Sequence, residues 1–169
     1  MKITDVGVVV HERTLPAGVF ARPTMPVGVV TISTDEGVDG HVFISPPGVD
    51  VAPQLVSAAK PMLLGRDPVD IDAIWHDFAA RSRMFDPTVQ GYVDIALWDI
   101  AGKVAGLPVH QMLGSCRGSV PAYASSWVHP DNAVYVEEAL AYRAMGFAGY
   151  KLHPPTQRRH LPSVAPRPR

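Results

Sequence analysis

Residues 86–114 read "DPTVQGYVDIALWDIAGKVAGLPVHQMLG", and the parsing of the chain turns on them. Asp86 stands at an N-cap position and Pro87 at the first helical one, where its missing N–H is not needed. Val93, Ala96, Leu97, Ile100 and Val104 recur at helical spacing and predict one buried stripe. Gly106 suits the left-handed position that ends a helix, and Pro108 forbids continuation. The pattern predicts a helix over 87–105, with Asp99 and Lys103 four apart in the stabilising order. "PVHQMLG" predicts one or two further turns.

Working toward the N-terminus, "GRDPVDIDAIWHDFAAR" (65–81) predicts a second helix. Asp67 would be its N-cap, Pro68 its first residue, and Ile71, Ile74, Trp75 and Phe78 its buried stripe. Asp50 is placed to cap a third helix from Val51 to about Leu64, kinked or split at Pro61. Residues 2–11 read as a strand through Ile3, Val8 and Val10. "VGVVTISTDEGVDGHVFIS" (27–45) gives two more strands about a tight turn in which Gly37 takes a positive φ. The first ~45 residues therefore predict a three-stranded antiparallel meander. The proline-rich stretch 14–26, "TLPAGVFARPTMP", is a loop, either an inert connection or a mobile lid.

Toward the C-terminus the pattern changes. "SVPAYASS" (119–126) predicts a short strand. Asp131 or Asn132 caps a helix to about Met145, with Val136, Leu140 and Ala144 on one face. Gly146 stops it, and "AGYKLH" (148–153) predicts a second strand. Strand, helix and strand in succession form a βαβ unit with parallel strands. One such unit cannot cover both faces of its sheet. The fold class is thus α+β over 1–115, followed over 116–155 by the opening of a parallel α/β domain. The Arg-, Pro- and Ser-rich tail 156–169 is expected to be disordered.

Composition restricts function. The chain has 169 residues, 47% apolar and 18% charged, as a soluble globular protein does. With 15 basic and 16 acidic side chains there is no global field to recruit nucleic acid or an anionic membrane. The single cysteine, Cys116, excludes an internal disulfide and fits the cytoplasm. The apolar run near the start is too short for a signal-peptide core, and no stretch of 18 apolar residues occurs.

The candidate chemistry lies in "YKLH" (150–153). Alternation along a strand would send Lys151 and His153 to one face and Tyr150 and Leu152 to the other. An ammonium beside an imidazole can hold a carboxylate and keeps the imidazole a free base near neutral pH. The bland alternative is a solvated Lys and His at a strand end. His11, His41, His76, His110 and His129 show no metal-ligand spacing and read as surface or hydrogen-bonded core residues. "AGK" (101–103) lacks the flanking residues of a phosphate loop. Arg158, Arg159, Arg167 and Arg169 have no interleaved aromatics, which argues against an RNA-binding segment.

The pattern from Ala96 to Gly114, followed by "VPAYASS" and "MGFAGYKLH", resembles the enolase superfamily in its mandelate racemase/muconate lactonizing enzyme branch. The resemblance runs from Met1 to about Pro155. It implies an N-terminal capping domain on a modified TIM barrel. It also implies Mg²⁺ held by acidic residues on the third to fifth barrel strands, and removal of a proton α to a carboxylate. On this match "YKLH" is the second barrel strand. Lys151 falls on the first lysine of the family's K-x-K, the carboxylate-binding and electrostatic role. His153 replaces the second lysine, the general base. The implied substrate is a small carboxylate, an acid sugar, and the implied activity is dehydration ahead of racemisation or epimerisation; a homo-oligomer is compatible with the reading. A TIM barrel takes roughly 250 residues, more than the whole chain. The chain is therefore expected to hold the capping domain and the first one and a half βα units, without metal ligands and inactive alone. An out-of-frame tail, a natural stop and a non-catalytic interaction module are the three accounts of its length.

Overall fold

The computed structural model describes residues 1–15, 23–44, 48–129 and 131–154. Residues 16–22 of the loop and the whole of the tail 156–169 lie outside the described residues. The chain separates into two compact units, residues 1–15 with 23–116, and residues from 117 onward.

In the first unit, β1 (Ile3–Thr14), β2 (Thr24–Thr34) and β3 (Gly40–Ile44) form an antiparallel sheet in the order β1-β2-β3. Thr34 organises the β2–β3 turn: its hydroxyl donates to the Val38 carbonyl (2.9 Å), and Gly37 takes φ 74°. Period-two alternation buries Val30, Ile32, Val42 and Ile44 on one face. That face packs on Leu55, Ala59, Leu63, Ile74, Phe78, Leu97 and Ile100 from the helices, all close to fully buried. β1 runs three residues beyond its predicted end because β2 pairs with it as far as Thr24 opposite Thr14.

The segment predicted as a helix broken at Pro61 is a composite. A 3₁₀ turn (Gly48–Val51) leads into α1 (Ala52–Gln54), then a π-helical turn (Leu55–Ala59), then α2 (Lys60–Leu63). Pro61 has no N–H to give and its ring would strike a carbonyl one turn back. The wider π turn, in which the Lys60 N–H reaches back to the Leu55 carbonyl, absorbs that mismatch.

The next helix, α3 (Ile71–Ala80), begins later than predicted, with Asp70 and not Asp67 at the N-cap. Asp67 instead shapes a turn, its carboxylate accepting from the Val69 N–H (3.2 Å) and its carbonyl from the Asp70 N–H (3.2 Å). Pro68 sits within that turn, outside the helix. Trp75 is exposed, so the buried stripe reduces to Ile74 and Phe78 with Ile71 half-buried.

Helix α4 (Pro87–Ala105) has its predicted ends. The Asp86 carboxylate accepts from the Thr88 N–H (2.8 Å) and hydroxyl (2.6 Å), and Gly106 takes φ 64°. Val104 is exposed, against expectation, because the sheet covers only the earlier turns of the stripe. A short α5 (Val109–Met112) follows. Asp99 ties α4 to β3: its carboxylate accepts from the His41 N–H (2.8 Å) and from Lys103 Nζ (2.7 Å), and the same ammonium donates to the Asp39 carbonyl (2.6 Å).

Partial burial raises the Asp99 pKa, but Lys103 and the His41 amide outweigh it and hold the carboxyl below its ordinary value of 3.8. A depressed folded pKa adds stability that is present above the unfolded value and lost as pH falls through the folded one. Asp99→Asn is therefore expected to cost about 1–2 kcal/mol at pH 7, a charged hydrogen bond discounted for partial exposure. The difference from wild type should shrink below pH 4. Urea denaturation at pH 7 and pH 3 checks this; an unchanged difference would contradict the assignment.

The second unit contains β4 (Ala124–Ser125), α6 (Asn132–Ala144) and β5 (Tyr150–Lys151), with β4 and β5 parallel. Asp131 caps α6, accepting from the Ala133 N–H (2.9 Å). Both strands are shorter than predicted. The predicted apolar face of α6 is not the buried one: Val136, Leu140 and Ala144 are exposed, and Tyr135 is the buried residue. Tyr142 stacks on Tyr150 (centroids 6.0 Å apart), so the β5-facing side of α6 is aromatic and polar. No described helix is long and apolar enough to cross a membrane.

Candidate active site

Parallel pairing sets Ala124 opposite Tyr150 and Ser125 opposite Lys151, which brings the C-terminal ends of the two strands together. The ladder then continues by one more backbone bond and, after it, through a side chain. The Ser126 N–H donates to the Lys151 carbonyl (2.9 Å), and the His153 N–H donates to Ser126 Oγ (2.9 Å). His153 Nδ1 lies 2.9 Å from the Ser126 carbonyl oxygen. Ser126, Trp127, Val128 and half-buried His153 line a cleft at this end, together with Ser125. Lys151 is exposed and is not among the residues lining that cleft.

Behind the cleft lies a polar cluster. The Tyr135 hydroxyl donates to the His153 carbonyl (2.7 Å) and accepts from the His129 N–H (2.8 Å). The His129 ring packs edge-on against Tyr135, with centroids 5.0 Å apart. Its Nε2 is buried 3.2 Å from Glu138 Oε1, close enough for an ion pair but off the line of a hydrogen bond. The Tyr150 hydroxyl donates to Glu138 Oε2 (2.6 Å). Burial first, then the Glu138 carboxylate, push the Tyr150 pKa up to about 12, so this phenol stays protonated.

The fold now has a match. The sequence model of the mandelate racemase / muconate lactonizing enzyme N-terminal domain covers residues 3–114. The chain belongs to this family. A D-mannonate dehydratase of Caulobacter vibrioides is 34% identical over 163 residues, which are 90% of this chain and 37% of the relative. A D-galactonate dehydratase family member of Streptomyces sp. (strain SPB074) is 38% identical over 130 residues, 72% of this chain and 29% of the relative. Among solved structures, the D-glucarate dehydratase of Agrobacterium tumefaciens complexed with magnesium superposes with a TM-score of 0.71 at 30% identity. That superposition covers 91% of this chain and 45% of the other. An enolase-superfamily member from Polaromonas sp. JS666 gives a TM-score of 0.76 at 27% identity, covering 90% and 44%. The chain spans about a third of the length of the curated relatives it matches.

Of the residues singled out in the sequence, this family member presents His153 at the cleft and Lys151 at the adjoining strand end. Ser126, Tyr135 and Glu138 carried no sequence signal, and His129 read as one scattered histidine among several. Their common feature is position relative to two strand ends, which becomes visible only when β4 and β5 are paired. A hard divalent cation wants several oxygen ligands, carboxylates foremost. Among the described residues no group of three His, Cys, Asp or Glu side chains could hold a metal ion. The cleft, with its serines, tryptophan, valine and histidine, does not fit magnesium.

Proposed function

We propose that this chain supplies the capping domain and the first barrel strands of an acid-sugar dehydratase. The observation that carries the proposal is an imidazole, His153, at the cleft end of a parallel strand pair in a chain whose curated relatives include D-mannonate and D-galactonate dehydratases. Their names favour dehydration over racemisation or epimerisation. In this reading His153 takes the proton from the carbon bearing the carboxylate. The electron pair left behind expels the hydroxyl of the neighbouring carbon as water once that oxygen is protonated. The resulting enol relaxes to a 2-keto-3-deoxy acid. Lys151, an ammonium at the same strand end, would steady the substrate carboxylate. The magnesium of the whole enzyme would rest on barrel residues other than those described here.

A chimera tests the proposal. Residues 1–154 replace the matching segment of the Caulobacter vibrioides relative, and the product is assayed with Mg²⁺ against D-mannonate, D-galactonate and D-glucarate for 2-keto-3-deoxy acid. Turnover of at least one sugar acid is expected. A chimera with native circular dichroism and a cooperative melt, yet inactive on all three, would overturn the reading.

A further inference from the structure

His153 is held at more points than a strand end requires. Its N–H reaches Ser126 Oγ, its carbonyl receives the Tyr135 hydroxyl, and its Nδ1 approaches the Ser126 carbonyl oxygen, at 2.9, 2.7 and 2.9 Å. A carbonyl oxygen can only accept, so the Nδ1 contact is a hydrogen bond only if Nδ1 carries the proton. A neutral imidazole has one ring proton. Placing it on Nδ1 leaves the lone pair on Nε2.

The Tyr135 hydroxyl makes this arrangement rigid. It has one proton and two carbonyls in reach, His153 at 2.7 Å and His129 at 3.3 Å. The shorter, stronger bond takes the proton. The His129 N–H fills an oxygen lone pair, and the buried Tyr135 ring is fixed by the edge-on His129 imidazole. The phenol therefore joins the segment after β4 to His153, two residues past the end of β5, at the point where backbone pairing between the strands has ended.

We propose that Tyr135 and Ser126 are positioning residues. They fix the main chain at His153 so that the Ser126 carbonyl selects the Nδ1–H tautomer and Nε2 is the atom that accepts a proton. The use to which Nε2 is put rests on the dehydratase reading; the tautomer does not.

The test uses the 169-residue chain, uniformly ¹⁵N-labelled, in a long-range ¹H–¹⁵N spectrum of its 7 imidazoles above neutral pH. His153 is assigned by the signals lost in His153→Gln. The expected result is a protonated Nδ1 and an unprotonated, pyridine-type Nε2. Tyr135→Phe keeps the ring and removes the hydroxyl, and should convert His153 to a mixture of tautomers. Ser126→Ala removes only Oγ and should do the same, which covers the case in which Tyr135→Phe does not fold. Val136→Ala, on the exposed side of α6, should leave the spectrum of His153 unchanged. An Nε2–H tautomer in the wild type overturns the proposal, as does an unmixed Nδ1–H tautomer in every folded variant. An inactive chimera beside an Nδ1–H wild type would remove the dehydratase reading alone; an active chimera beside an Nε2–H wild type would remove this inference alone.

Discussion

In the chimeric dehydratase, His153→Ala is expected to lower kcat by about 10²–10⁴-fold, the usual contribution of a general base. KM should change little, because in the proposed reading the carboxylate is steadied by Lys151 at the adjoining strand end, not by the imidazole. Stability should change little as well. The two backbone bonds at this residue, N–H to Ser126 Oγ and carbonyl from Tyr135, do not need the imidazole. The ring is half-buried, so its loss opens no sealed cavity. Steady-state kinetics with a thermal melt on the same preparation separates the outcomes. A variant with wild-type kcat removes His153 from the chemistry, and a variant whose activity falls only in step with its melting point makes the residue structural.

The second large effect is on folding and comes from an atom that is not there. A Cβ built on Gly40 would lie 2.1 Å from the Ala96 carbonyl oxygen, 2.7 Å from Ile100 Cγ1 and 3.0 Å from the Ala96 carbonyl carbon. Two of those three neighbours are backbone of α4 and cannot turn aside. The strand is also fastened to the helix on either side of the contact, by the Lys103 ammonium on the Asp39 carbonyl and the His41 N–H on Asp99. Gly40→Ala must push β3 off α4 and break those bonds, or fail to fold. Overpacking typically costs 1–3 kcal/mol, and with backbone on both sides about 3 kcal/mol or more is expected. Equilibrium urea denaturation measures it. A loss under about 1 kcal/mol would mean that β3 and α4 do not approach as closely as described.

The architecture was legible where the signal is local or periodic. The α4 caps, its Val93 to Ile100 stripe, the Gly37 turn and the three-strand meander follow from backbone stereochemistry and burial, and all are present. The misreadings share a cause. Asp67-Pro68 and Asp70 compete for the start of α3, and a hydrogen-bonded turn over 67–70 decides between them. Trp75, Val104, Val136 and Leu140 are apolar at helical spacing, yet which side of a helix is covered depends on neighbours a one-dimensional pattern does not contain. At the candidate site, Lys151 and His153 were singled out by strand alternation and by their match to the family's K-x-K, not by charge at a strand end, which is ordinarily just solvated. Tyr135 was not. An aromatic one turn into an amphipathic helix reads as packing, and only the pairing of β4 with β5 turns its hydroxyl into a clasp.

Pro61 has a geometric consequence of its own. Leu55, Ala59 and Leu63 are spaced by four and all fully buried. An α-helix turns about 100° per residue, so each step of four overshoots a full circle by about 40° and three such residues spiral away from a common line. A π turn winds more slowly. Placed between Leu55 and Ala59, it undershoots where the following α turn overshoots, and the two errors offset. The proline that interrupts the helix thus marks where its phase is reset, and the three side chains strike the sheet along a single meridian.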